Sequence, residues 1–243
     1  MKQYLSLQVI VLVALLASGC EEAVKPATTT ESTATDAPID ESRFIRSTDL
    51  HQRMQGDALN YVFDVRAKAS YAESHIDGSL SMPYGIVGQE EVAALSQITL
   101  DTPIVTYCGC PHALAGLAAD QLIEWGYRNV RVLHEGYWYW RDNNYPVVGK
   151  QAQSITVLRV SGLVEFVEES AETNSLFIRN LRNEQLEVAL IGTDGRFQTE
   201  FHVLDYQIND RFEVRVGGLD HPVVGQLDVL DEDQLDHWIS VKL

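Results

Sequence analysis

The stretch Thr106-Tyr107-Cys108-Gly109-Cys110-Pro111-His112-Ala113 concentrates the reactive side chains of this 243-residue chain. Two thiols and an imidazole fall between an apolar run, Pro103-Ile104-Val105, and a helical pattern over Ala113 to Trp125. A cysteine that ends a buried strand just before a helix meets unpaired N–H groups and the positive end of the helix dipole, where negative charge on sulfur is easiest to hold. The pattern suits a nucleophilic thiolate at Cys108. Backbone donors for an anion come from Gly109, Cys110, His112, Ala113 and Leu114, whereas Pro111 has no N–H. Cys110 has three open readings. It is a resolving thiol that attacks a persulfide or sulfenate on Cys108, a small residue in a tight turn, or a soft-metal donor beside Cys108 and His112. The metal reading lacks a fourth ligand in the sequence. His112 is the loop's cation candidate, set against a histidine that caps the helix or faces water.

The surrounding periodicity supplies the elements that would hold this loop. Ser47 is positioned to cap a helix over Thr48 to Met54. Tyr61 to Val65, Leu80 to Pro83, Pro103 to Tyr107 and Asn129 to Leu133 are short apolar strands, and Gln89 to Ser96 is helical in composition. Gly126 ends the helix that follows the cysteine. Strands alternating with helices predict an α/β unit over residues 42–150, a parallel sheet with helices on both faces. Ligands of such sheets bind beyond the strand C-termini, where Cys108 lies. Tyr137-Trp138-Tyr139-Trp140 carries enough aromatic area to pack against a second domain.

After Lys150 the pattern changes. Apolar runs recur at Ile155–Val160, Leu163–Val167, Ser175–Ile178, Leu186–Ile191, Thr199–Tyr206 and Phe212–Val216, several of them alternating as half-wet strands do. Asp194-Gly195 reads as a hairpin turn and Gly217-Gly218 as a break. Residues 151–243 are expected to form a small all-β sandwich, an accessory module for docking to a protein partner. The acidic cluster Asp228, Asp231, Glu232, Asp233 and Asp236 lacks the spacing of a calcium loop and reads as a solvated face.

The formal charge is −17, and the acidic excess falls mainly on residues 151–243. With no basic patch in either half, nucleic acid is excluded as a partner. Residues 1–19 have a signal-peptide pattern, with Lys2 ahead of the apolar Leu5 to Leu16. The ending Leu16-Ala17-Ser18-Gly19-Cys20 resembles the lipobox of bacterial lipoproteins. That resemblance implies lipidation at Cys20, export and anchoring to a membrane, the outer membrane facing the periplasm in a Gram-negative cell. Residues 20–41, rich in Thr, Ala and acidic side chains, read as a disordered tether.

Asp64-Val65-Arg66, Tyr71, His75-Ile76-Asp77-Gly78-Ser79 and Met82-Pro83 resemble the first half of a rhodanese-like domain. Ile104-Val105-Thr106-Tyr107-Cys108 resembles its active-site strand, and Leu122, Gly126-Tyr127, Asn129-Val130, Leu133, Gly136, Trp140 and Pro146-Val147 continue the order. The resemblance implies sulfurtransferase chemistry of the thiosulfate kind. Cys108 takes a sulfane sulfur, becomes a persulfide and hands the sulfur to a thiophilic acceptor, with a small sulfur-containing or anionic molecule as substrate and no cofactor. It also implies that Asp64, Arg66, His75 and Trp140 brace the fold rather than react. The loop departs from the common form: Pro111-His112-Ala113-Leu114 stands where active members carry a central Gly and a terminal cation. Related phosphatases bind their dianion through that terminal arginine, so phosphatase and arsenate reductase chemistry are disfavoured. Two alternatives stand beside sulfur transfer. One is a non-catalytic rhodanese-fold binding or sensor lipoprotein. The other is a thiol redox or soft-metal protein using Cys108, Cys110 and His112.

Overall fold

The computed structural model describes residues 40–56, 61–85, 92, 94–109, 113–150, 154–165, 174–228 and 236–242. The signal segment, Cys20, nearly all of the tether, Cys110, Pro111, His112, half of the Gln89–Ser96 segment and Asp231 to Asp233 lie outside these residues; of the described half, Leu95 and Ser96 form part of a 3₁₀ turn rather than the expected helix. Residues 39–243 form one unit.

Its first half is built from β1 (Phe44–Ile45), α1 (Ser47–Met54), β2 (Tyr61–Asp64), α2 (Lys68–Glu73), β3 (Ser74–Ile76), β4 (Leu80–Ser81), a single 3₁₀ turn at Leu95–Gln97, β5 (Ile104–Tyr107), α3 (Ala113–Glu124), β6 (Val130–Leu133), α4 (Gly136–Asp142) and β7 (Val147–Gly149). Strands β1-β6-β5-β2-β4 form a sheet in that order, all parallel. Two cores flank it. Phe63, Ile104 and Val132 face α3 residues Leu114, Ala118 and Leu122. Val62, Val105 and Leu133 face Leu50 of α1 and Tyr137 and Trp140 of α4. The expected two-faced α/β sheet is therefore present, with β5 at its centre and all four of its residues buried. Helix α3 ends where expected. Gly126 has φ +97°, and the Tyr127 N–H reaches back to the Leu122 carbonyl at 3.1 Å. That bond closes the helix end and turns Tyr127 into the core.

One local expectation is corrected. Ser47 lies inside α1, and the residue at the cap position is Arg46. The helix end is closed from a distance: Glu135 accepts both the Ser47 N–H and its hydroxyl at 2.8 Å. The aromatic run is a helix, α4, whose Trp140 indole donates to the Pro146 carbonyl at 2.9 Å.

The second half continues with β8 (Ile155–Glu165), β9 (Ser175–Asn180), β10 (Leu186–Leu190), β11 (Arg196–Leu204), β12 (Arg211–Val216), β13 (Val223–Asp228) and β14 (Asp236–Lys242). An antiparallel sheet β10-β9-β12-β13 packs on a mixed sheet β11-β8-β14, in which β14 runs parallel to β8. Leu158, Val160, Ile178, Phe201, Phe212 and Val214 fill the space between them. This is the expected all-β sandwich. The run Ile155–Val160 and the described part of Leu163–Val167, to Glu165, are one strand, continuous through Ser161-Gly162. Asp194-Gly195 does make a tight turn, with Gly195 at φ +78°. The strands it joins do not pair, because β10 pairs with β9 and β11 with β8. The turn carries the chain from one sheet to the other.

Gly162 marks the closest approach within the sandwich. A Cβ there would collide with the Ile239 carbonyl and would stand 2.8 Å from the Phe197 ring. Gly162→Val is therefore expected to lower stability by about 1–3 kcal/mol or more, read as a shift of the urea midpoint. Gly116→Ala, whose Cβ meets nothing nearer than the Arg43 guanidinium at 3.7 Å, should leave it equal or raise it by up to about 1 kcal/mol.

Candidate active site

The alternation of β5 decides where Cys108 points. Val105 and Tyr107 face α4, while Ile104, Thr106 and Cys108 face α3. The Thr106 hydroxyl donates to the Ala115 carbonyl at 2.9 Å, which ties the first turn of α3 to the strand. The Ala115 N–H in turn points at the Cys108 sulfur. The Tyr137 N–H donates to the Cys108 carbonyl at 2.8 Å and the Trp138 N–H to the Gly109 carbonyl at 3.3 Å, so the base of the loop is held by the start of α4. Gly109 leaves no room for a side chain, since a Cβ would stand 2.8 Å from the Trp138 indole nitrogen. Ala113 and Leu114 open α3, and Leu114 is buried beside the cysteine. Cys110 and His112 lie outside the described residues. Among the described residues no cluster of three metal-ligating side chains occurs.

Beneath the cysteine lies a buried polar network. Asp64 is fully buried, and Arg66 reaches it at 2.6 Å while also donating to the Ser74 carbonyl at 2.6 Å. The Tyr107 hydroxyl donates to Asp64 at 2.7 Å and accepts the Ile76 N–H at 3.1 Å. The guanidinium also lies over the Tyr137 ring, 3.9 Å from its centroid. Burial opposes the charge on Arg66, but Asp64 outweighs it and the guanidinium pKa is raised. His75 stacks on Tyr71 at 3.8 Å and bonds the Tyr71 carbonyl at 2.7 Å. Asp64, Arg66, His75 and Trp140 thus all brace strands and loops.

The sandwich forms the other side of the site. Phe177 of β9 and Val188 of β10 are buried in the same apolar cluster as Cys108, Leu114 and Ala115, and Leu186 and Leu219 pack against it. Tyr84 stacks on Phe177 at 6.4 Å and Trp138 on His202 of β11 at 5.1 Å. Trp138 thus performs the interdomain packing expected of the aromatic run. Between the halves opens a cavity of about 250 Å³, lined by Val65, Pro83 and Tyr84 on one side and Arg179, Leu186 and Leu219 on the other. Only 4% of Cys108 is exposed. Burial pushes its thiol up to about 12, the Glu187 carboxylate adds to the shift, and the Ala115 N–H works against it. Glu187, at 8% exposure, is a buried carboxylate that the sequence pattern misses. In Leu186-Glu187-Val188 it reads as the wet position of an alternating strand, and no local signal shows that packing covers it.

Residues 47–143 match the family model described as a rhodanese-like domain. A solved structure of a Bacillus halodurans protein is 29% identical over 45% of this chain and 78% of its own, with a TM-score of 0.41. The rhodanese-like domain of an Anabaena protein is 24% identical over 44% of this chain and 78% of its own, at a TM-score of 0.38. A thiosulfate sulfurtransferase from Pseudomonas aeruginosa is 23% identical over 44% of this chain and 20% of its own, at 0.39. No curated protein matches the sequence.

The buried thiol makes a distinct pH signature. In a chain carrying Cys20→Ser and Cys110→Ser, iodoacetamide alkylation of Cys108 should still be rising at about pH 10, where a thiol of ordinary pKa about 8.5 has levelled off. A plateau near pH 9 would show a thiol open to water.

Proposed function

We propose that this protein is a membrane-tethered, exported rhodanese-like sulfurtransferase that carries sulfane sulfur as a persulfide on Cys108. The observation that carries the reading is the seat of Cys108. It ends the central strand of a parallel sheet and receives the Ala115 N–H from the first turn of α3 on its sulfur, inside the stretch that matches the rhodanese-like family. Helix-terminal N–H groups favour the anionic sulfur that both the attacking thiolate and the terminal persulfide sulfur require. In the first step the Cys108 thiolate attacks the outer sulfur of a donor. The S–S bond to the donor's leaving group breaks, and that group departs with the bonding pair. In the second, an acceptor thiolate attacks the terminal sulfur and Cys108 leaves as thiolate.

One observation favours a second reading. Cys108 is buried in the apolar cluster that also holds Phe177 and Val188, and burial pushes its thiol up, as suits a non-catalytic binding or sensor protein. The redox and soft-metal reading rests on Cys110 and His112. Intact mass after incubation with sulfur donors separates the three. Sulfur transfer predicts a gain of one sulfur that is lost in Cys108→Ala and persists in Cys110→Ala. No adduct from any donor removes it, and a loss of two hydrogens on oxidation replaces it with a thiol redox pair. A copurifying metal lost in His112→Ala supports the soft-metal branch.

The tether reading rests on the Leu16-Ala17-Ser18-Gly19-Cys20 ending; no helix among the described residues is long and apolar enough to cross a membrane. Cells fed labelled palmitate should label the protein and hold it in the membrane fraction. Cys20→Ala should abolish the label.

A further inference from the structure

The cavity between the halves has a volume of about 250 Å³, at the small end of ligand sites. Cys108 is not among its walls. The halves meet beside it at Gly85, where a Cβ would stand 2.5 Å from the Leu219 side chain. The walls differ in chemistry. Val65, Pro83, Leu186 and Leu219 are apolar, and Tyr84, stacked on Phe177, adds an aromatic ring. Among the described residues the charged walls all belong to the sandwich: Arg179, Glu184 and Asp220. Arg179 is already answered, by Glu184 at 2.8 Å and Glu213 at 3.7 Å. Asp220 has the His221 imidazole 3.3 Å away, and a neutral imidazole leaves its charge standing. The Glu184 and Asp220 side chains are 60% and 92% exposed, so their charge lies at the mouth. Burial and then Glu124, Asp120 and Asp220 push the Tyr84 phenol up, so carboxylates of α3 add to the negative potential there. An apolar pocket with an aromatic wall and unanswered negative charge at its mouth suits a cation on an apolar body.

We infer that this cavity is a second ligand site, one that takes a small primary amine with an apolar or aromatic body. The body lies against Val65, Leu186 and Leu219, and the ammonium sits at the mouth between Asp220 and the Tyr84 ring. The site does not depend on the sulfur chemistry at Cys108. A ligand in it touches both halves, so its binding stabilises the contact between them.

Calorimetric titration of the full chain carrying Cys20→Ser tests it at about pH 8, where an ordinary imidazole is neutral and an alkylamine charged. The probes share one size and differ in charge: phenethylamine, phenethyl alcohol and hydrocinnamate. Phenethylamine should bind with a Kd of about 1 mM or lower. It should bind about threefold or more tighter than the alcohol, with hydrocinnamate the weakest. Changing Glu184→Gln and Asp220→Asn together removes both carboxylates at the mouth and leaves Arg179. The pair should weaken the amine about threefold or more and strengthen hydrocinnamate, reversing their order. Leu186→Trp fills the cavity and should abolish binding of all three. Leu186 packs between the halves, so the two exposed charge changes carry the test if that variant does not fold. Hydrocinnamate binding as tightly as the amine overturns the site. So does an amine affinity that the paired change leaves unmoved, or no heat from any probe at about 10 mM.

Discussion

Asp64 has no contact with water, and its charge must be answered from inside the fold. Arg66 answers it, with the Tyr107 hydroxyl adding a further hydrogen bond. An ionised group buried alone costs several kcal/mol, and the pair holds only because its remaining donors also find acceptors. The Ser74 carbonyl takes one of them, and the Tyr107 oxygen accepts the Ile76 N–H. The consequence is geometric more than energetic. The ends of β2 and β5 and the start of β3, distant in sequence, are tied at one point. Cys108 projects from that rim, so the direction of its side chain is fixed before any substrate arrives.

The same thiol then meets two opposing surroundings. From its own domain it receives a strand end, a helix turn anchored by Thr106 and an N–H from Ala115, all of which suit an anion. From the sandwich, Phe177 and Val188 join the buried apolar cluster that holds it. Burial wins in this arrangement, and the thiol pKa is pushed up. Under the sulfur-transfer proposal, a persulfide at such a dry site would be kept from the irreversible rungs of thiol oxidation, and the donor's leaving thiolate would take the Cys108 proton.

Most of the first half was legible because its signals are local. The continuous apolar run of β5, the Ala- and Leu-rich α3 with Gly126 behind it, and the Asp64-Val65-Arg66 set each announce themselves within a few residues. What the sequence hid was long-range. Ser47 looks like a cap because serine caps helices, but Glu135, far along the chain, takes that role. Asp194-Gly195 has hairpin chemistry, yet the turn links two sheets, since a turn's dihedrals do not specify which strands pair. Gly162 reads as a break between two runs. In β8 it is the point where only a hydrogen can face the Ile239 carbonyl and Phe197. Glu187 was the costliest omission. An acidic residue in an alternating strand reads as solvated, and only tertiary packing buries it.

Tertiary packing also limits what can reach the cysteine. The contacts between the halves are apolar at the centre, Phe177, Val188, Leu186 and Leu219, with aromatic stacks at Tyr84 and Trp138. Each such stack contributes about 0.5–1.5 kcal/mol beyond its buried area, so the closed arrangement is favoured by several small terms and no covalent one. The same interface keeps Cys108 at 4% exposure, and burial is what pushes its thiol up. Access to the thiol and thiol acidity are consequently coupled through one interface, and a change that loosens it moves both together.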